Sequence, residues 1–251
     1  MKTPGVYIVE KSAFPNSVVE APTAIPAFIG ITEKAVNGAD TLSGKPWKIT
    51  SMTEFQQYFG GAPAPEFRLS VVDYPEKDAS KTFYGIPSPD KSKLLRVEAP
   101  EVTFSLYYQM VMFFANGGGT CYIVSAGTYD QKSLIDKEKV VAALTALKKE
   151  QEITMVLVPE AVSVDECKDI QTQVLAHCGE MMNRFAILDV QPKAKENEVM
   201  SEQIEIFRTN VGANFLSYGA AYYLRALRQG NRRHGADMGL QRCRSRPVGV
   251  L

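Results

Sequence analysis

Few residues in this chain have the type and spacing that chemistry requires. Gly117, Gly118 and Gly119 invite a phosphate-loop reading, but such loops run from strand through glycines into a helix, whose amides then face the phosphate. Here the order is reversed, with a helix-length apolar stretch before the glycines and a β-branched run after them. The glycines therefore read as a helix C-cap and tight turn. His177 and His234 are the only histidines, and neither stands at ligand spacing from cysteines or carboxylates, so no metal-binding residue is assigned. His177 falls near the end of an expected helix, where an imidazolium or a partly buried ring is unremarkable. No GxSxG elbow is present, and neither histidine has a Ser or Cys partner pattern. Asp189 ends a strand-like run, a place where α/β enzymes put a catalytic acid, but an Asp there is more often a helix cap or turn former. No catalytic or cofactor-binding residue is assigned, and the expectation is a protein that is not an enzyme.

The bulk composition is that of an ordinary globular chain: 251 residues, 45% hydrophobic and 22% charged, enough for one large domain or two small ones. The first ten residues hold one Lys and no apolar run of signal-peptide length, and no later stretch reaches the roughly 18 uninterrupted apolar residues of a membrane helix. No membrane partner and a cytoplasmic location are expected. Cys121, Cys167, Cys178 and Cys243 show no CxxC pairing. They read as reduced thiols, the first three in the core. The zero formal charge hides an asymmetry. Residues 224–251 hold seven Arg, no Lys and one acid, Asp237, a net +6 against −6 for the remainder. A nucleic-acid arm would interleave aromatics to stack bases, and this tail has none, so it reads as solvated and disordered with no nucleic-acid partner.

The elements that would position any site divide the chain unevenly. From residue 120 onward, β-branched runs alternate with helix-length amphipathic stretches, the pattern of βαβ units and a parallel sheet. Strands are expected at Cys121–Ser125, Ile153–Val158 and Phe185–Val190, with a possible fourth at Asn214–Ser217. Asp136–Glu150 is expected to be helical with Val140, Val141, Leu144 and Leu147 on one face. A second helix follows an N-cap at Ser163 with Glu166 completing a capping box, burying Cys167, Ile170, Val174 and Cys178. Ser201–Arg208 is a third, shorter helix. The amino-terminal half offers short strand candidates at Gly5–Glu10, Ala27–Ile31 and Trp47–Thr50, a Pro-rich surface loop or inserted excursion over 62–93, and an apolar helix over Phe104–Ala115. The fold class is therefore α/β: an open parallel, flavodoxin-like layer over 120–223, a smaller irregular α+β region with an extended arm over 1–119, and the Arg-rich tail over 224–251.

Several segments have no chemical reason to exist. Thr3-Pro-Gly-Val-Tyr-Ile-Val-Glu10 followed by Pro22-Thr-Ala-Ile-Pro-Ala-Phe-Ile-Gly30 resembles the start of contractile phage tail sheath proteins, including the sheaths of phage-tail-like bacterial contractile injection systems. Ile49-Thr-Ser-Met-Thr-Glu-Phe-Gln-Gln-Tyr-Phe-Gly-Gly61 resembles that family's strand, short helix and glycine pair. The stretch from Tyr108 through the glycine triplet to Val124 resembles its apolar helix, turn and strand, and Ala176–Asp189 is similar to a later helix and strand. In order and spacing these segments span residues 3 to about 223.

The resemblance implies a structural subunit that stacks in helical rings around an inner tube and contracts to drive it through a target envelope. It implies homo-oligomeric assembly, an inner tube protein and baseplate components as partners, assembly in the bacterial cytoplasm, and no cofactor. It also implies terminal arms that add strands to a neighbour's sheet. Gly5, Val6, Tyr7, Ile8, Val9 and Glu10 fit such an arm, being β-prone and preceded by a proline. Sheath proteins normally continue beyond the point matched by Ala220-Ala-Tyr-Tyr223, so the tail from Leu224 is expected to be a truncated or frameshifted end. Two rival readings are a capsid or baseplate component and a small-molecule-binding α/β protein.

Overall fold

The computed structural model describes residues 23–64, 68–73, 84–87, 89, 93–98, 104–129, 135–191, 200–223 and 246–250. β1 (Pro26–Thr32) is buried at every position, as a strand covered on both faces must be. A two-residue-strand hairpin, β2 (Val36–Asn37) and β3 (Asp40–Thr41), leads to β4 (Trp47–Ile49). α1 (Met52–Phe59) starts at Ser51, whose hydroxyl accepts from the Glu54 amide, while the Glu54 carboxylate accepts from the Thr50 amide at 2.6 Å. This reciprocal arrangement satisfies donors that a helix start leaves without partners. β5 (Arg68–Asp73), β6 (Tyr84–Pro87) and β7 (Lys93–Glu98) form a separate antiparallel sheet in the order β5-β7-β6. The Pro-rich excursion thus builds a small sheet.

The second half alternates as expected: α2 (Leu106–Ala115), β8 (Cys121–Thr128), α3 (Lys137–Leu147), β9 (Met155–Leu157), α4 (Cys167–Met181), β10 (Phe185–Asp189), α5 (Met200–Val211), β11 (Gly219–Tyr223) and β12 (Arg246–Val250). The main sheet runs β12-β11-β10-β9-β1-β8-β4. β8, β1, β9, β10 and β11 are parallel, with β4 and β12 as antiparallel edges. The expected neighbours β9 and β10 pair directly, Val156 opposite Ala186.

Helices cover the sheet asymmetrically. α3, α4 and α5 bury one face, where Val140, Leu144, Leu147, Ile170, Val174 and Phe207 pack on Ala27, Ile29, Val156 and Leu188. On the other face α1 and α2 lie over β1, β8 and β4, with Phe55, Phe59, Leu106 and Met110 packed on Phe28, Ile49 and Ile123. Among the described residues no helix is long and apolar enough to cross a membrane.

Several expectations change. The parallel layer is not confined to residues 120–223, because β1 from the amino-terminal region lies in the middle of the sheet between β8 and β9. Ser163 does not cap α4: Pro159 opens a 3-10 turn over Pro159–Ser163, and the helix starts at Cys167 after Glu166. The Glu166 carboxylate instead accepts from the Lys137 amide at 2.8 Å, serving the start of α3. Asn214–Ser217 is not a strand, since Phe215 takes a left-handed φ of 58° and leads into a 3-10 turn; the strand is β11. Val141 is exposed, unlike its expected companions Val140, Leu144 and Leu147. Within the tail expected to be disordered, Arg246–Val250 pairs with β11, Tyr223 opposite Arg246. Residues 224–245 lie outside the described residues.

Candidate functional site

The first place to look for a ligand in this topology is the carboxyl edge of the sheet, where connections leave neighbouring strands in opposite directions. β1 and β9 make that crevice: β1 connects through α2 to β8 on one side, and β9 connects through α4 to β10 on the other. The crevice is filled from within. Glu160, 3% exposed in the turn after β9, accepts from the Ile31 amide at 2.8 Å with one oxygen. With the other it accepts from the Ser105 amide at 3.0 Å and the Leu106 amide at 3.3 Å. The start of α2 has no side-chain cap of its own, and the Glu160 carboxylate takes the place that an anion occupies at other helix N-termini.

The walls of the crevice are close-packed. A Cβ on Gly30 would meet the Leu106 side chain at 3.0 Å and the Glu160 carboxylate at 3.2 Å, so a glycine is what allows β1, α2 and Glu160 to converge. Phe104 stacks on Tyr129, centroids 4.9 Å apart, and the Thr32 and Ser125 hydroxyls are 2.7 Å apart. Burial pushes the Glu160 carboxyl up to about 7 against its three amide bonds, which pull it down. An anionic ligand here would have to displace Glu160.

A second buried polar cluster ties α3 to α4. Arg184, 3% exposed, donates to the carbonyls of Leu147 at 3.0 Å and Glu150 at 2.8 Å, closing the carboxyl end of α3. The same guanidinium lies 3.2 Å from His177 Nε2. Arginine can only donate, so His177 accepts there and is neutral. Burial, with Arg184 and Lys148 adding to it, holds the ring down at about 4. Of the two states expected for His177, an imidazolium or a partly buried ring, the structure shows a buried, neutral ring.

Cys121, Cys167 and Cys178 are free and buried. Burial pushes their thiols up, to about 12, about 11 and about 12 respectively, which leaves no thiolate nucleophile at neutral pH among the described cysteines. Asp189 is exposed at the end of β10, and only its backbone carbonyl takes part in the sheet-to-helix bond from Gln171, at 2.6 Å. The small cavity beside it, about 80 Å³ between α4 and α5, is lined by Gln171, Gln191, Gln203 and Phe207 among others. Among the described residues no group of three His, Cys, Asp or Glu side chains could hold a metal ion. The glycine triplet closes α2 as expected: the Gly117 amide donates to Phe114 O and the Gly118 amide to Phe113 O at 2.9 Å, with Gly117 at φ +85°.

The surface feature that the residues do build is apolar. α2 buries Leu106 and Met110, yet Tyr108, Val111 and Met112 are exposed on its outer side, Met112 by 61%. Spaced at three and four residues, these side chains form a second apolar stripe. Next to it opens a groove of about 780 Å³ walled by Met112 and Phe113 of α2, Phe28 of β1, and Met155 and Leu157 of β9. None of its described lining residues is ionisable. The face it belongs to continues across the sheet, because Met155 and Leu157 stand beside Phe185 and Ile187 of β10, and Ile187 beside Ala220 of β11. All five are half-buried.

Of the residues singled out by sequence, the structure brings His177 together with Arg184, sets Gly117, Gly118 and Gly119 along the lining of the groove, and leaves Asp189 apart from any cluster. Gly5, Val6, Tyr7, Ile8, Val9 and Glu10, with His234 and Cys243, lie outside the described residues. Glu160 and the α2 stripe went unrecognised. A usable signal existed for the stripe, since residues 102–129 contain no charged side chain, and a helix apolar on all sides needs covering on all sides. Comparison of the chain with protein-family models and with curated proteins gives no match.

Proposed function

We propose that this chain is a structural subunit of a contractile tail sheath, polymerising in helical rings around an inner tube and shortening to drive it through a target envelope. The observation that carries the reading is the second apolar stripe of α2, Tyr108, Val111 and Met112, exposed beside an ionisable-free groove. Contiguous exposed apolar surface of this kind marks an interaction site, and a helix apolar on both sides is what a subunit packed among copies of itself requires. The strand order is compatible with the flavodoxin-like layer expected from the strand and helix alternation: numbered among themselves in chain order, the parallel strands stand 2-1-3-4-5, the order of that fold. The filled switch-point crevice weighs against the rival reading of a small-molecule-binding protein, since Glu160 already sits where such a ligand would be held.

In this reading Gly5–Glu10 is the arm that adds a strand to a neighbouring subunit, and an inner tube protein and baseplate components are the further partners. Assembly takes place in the bacterial cytoplasm, and the product is a phage tail or phage-tail-like particle. Two measurements test it. Negative-stain electron microscopy of the chain co-expressed with its genomic neighbours should show hollow helical tubes, and closed shells or isolated plates would replace the sheath with a capsid or baseplate role. Hydrogen exchange should be fast over Gly5–Glu10 in the monomer and slow in the assembly; equal protection in both removes the arm.

A further inference from the structure

Among the described residues no helix covers the groove and the half-uncovered sheet face beside it, and the reason is topological. Every crossover after β8 runs over the face held by α3, α4 and α5, while α1 and α2 reach only β1, β8 and β4. The opposite side of β9, β10 and β11 is left with Met155, Leu157, Phe185, Ile187 and Ala220, half-buried. Apolar surface of this extent calls for an occupant.

Where the chain enters the fold says what that occupant is. Thr23, Ala24 and Ile25 are themselves part of the groove wall, so the covalent link to residues 1–22 is made at that wall. Ala24 holds a left-handed φ of 59°, a conformation that a residue with a Cβ adopts against a steric penalty. The ten residues just upstream, Ala13–Pro22, carry Phe14, Val18, Val19 and Ala21. Nine residue steps from Thr23 back to Phe14 span up to about 30 Å, whereas the three strand spacings from β1 to β11 amount to about 14 Å.

Charge decides between the two segments that could cover this face. Residues 1–22 hold Lys2, Lys11, Glu10 and Glu20, which cancel, and Glu20 is the only charged side chain between Ser12 and Thr23. Residues 224–245 hold six arginines and one acid, Asp237. A groove whose described lining holds no ionisable residue offers those arginines no partner there, and burying an unpaired charge is costly. The amino-terminal segment also starts from the groove wall, which gives it an effective concentration in the millimolar range, beyond that of a free second copy.

We propose that Phe14–Ala21 of the same chain docks in the groove between α2 and β9 and across the open face of β9–β11, with Phe14, Val18 and Val19 as its apolar contacts. The inference shares Met112 and the groove with the surface that carries the sheath reading but does not rest on that reading: it concerns one chain in solution and residues other than Gly5–Glu10, and its crosslinking test is decided whether or not tubes form.

The test is photo-crosslinking of the full chain carrying p-benzoylphenylalanine in place of Phe14. Excited benzophenone inserts readily into C–H bonds next to a thioether sulfur, and Met112 and Met155 supply two in the groove. Equal amounts of light and nitrogen-15-labelled chains are mixed before irradiation, and the adducts are mapped by mass spectrometry. The expected result is adducts on Met112 or Met155 within one isotopic chain, in a yield independent of dilution. M112E, a change at an exposed position that leaves folding intact, should cause loss of the adduct on Met155, as should V18D/V19D. Adducts joining light to heavy chains would give the groove to a second copy and overturn the proposal. Adducts confined to residues outside the groove, or no adducts from a chain that circular dichroism shows to be folded, would overturn it equally.

Discussion

Glu160→Gln isolates what the buried carboxylate does. Both oxygens of Glu160 accept backbone donors, one from Ile31 and the other from Ser105 and Leu106. Ionised or protonated, the carboxyl keeps lone pairs on both oxygens. A carboxamide keeps one acceptor and puts N–H in place of the other, so at least one buried amide is left facing N–H, at a cost of about 2–3 kcal/mol. The pH dependence gives the second half of the expectation. The folded-state carboxyl titrates at about 7 against 4.5 in the ordinary state, so between those values the folded protein keeps a proton that the unfolded chain has released. Stability then falls as pH rises through that window, by about 3 kcal/mol at about 1.4 kcal/mol per pH unit. The variant has no such titration. It should be less stable than the parent by about 2–3 kcal/mol at pH 5 and close to it at pH 8. Urea unfolding followed by fluorescence of the single tryptophan, Trp47, against Tyr58 at 5.4 Å, reads both quantities across pH 5–8. A variant that matches the parent at pH 5, or that keeps the parent's pH slope, refutes the assignment of Glu160 as the ionisable cap of β1 and α2.

Further outcomes follow from particular residues. His177 titrates at about 4 in the folded state, below its ordinary value of 6.5, so the unfolded chain gains the proton first and stability falls as pH drops from 6.5 through 4; His177→Phe should flatten that limb of the acid unfolding curve. Arg184→Met leaves the Leu147 and Glu150 carbonyls without their buried donor and should cost about 2–4 kcal/mol by chemical unfolding. Met182 ends α4 in a left-handed conformation, φ 56°, and is 73% exposed, so Met182→Gly should raise stability by about 1 kcal/mol and shift the thermal midpoint upward. Tyr108→Glu with Val111→Glu charges the outer stripe of α2 and should abolish self-association in sedimentation while changing monomer stability by no more than about 0.5 kcal/mol per site.

Local patterns determine most of the second half of the structure because the elements there are short-range in origin. Val140, Leu144 and Leu147 mark the buried side of α3, and the β-branched runs at 121–125, 153–158 and 185–190 mark β8, β9 and β10 to within a few residues. The reversed order of helix, glycines and strand was enough to read Gly117–Gly119 as a turn. Tertiary structure alone decided the rest. That β1 lies between β8 and β9 depends on pairing across about ninety residues or more, which periodicity does not encode. Ser163 followed by Glu166 has the local form of a capping box, but the Pro159 turn and the competing bond from Lys137 draw both residues elsewhere. Glu160 is an unremarkable acid in the sequence, and only the convergence of β1, the start of α2 and the turn after β9 makes it a buried cap. The apolar composition of α2 was visible from the start, but which of its sides lacks a cover is a property of the whole fold, set by the crossovers that place α3, α4 and α5 on the far face of the sheet.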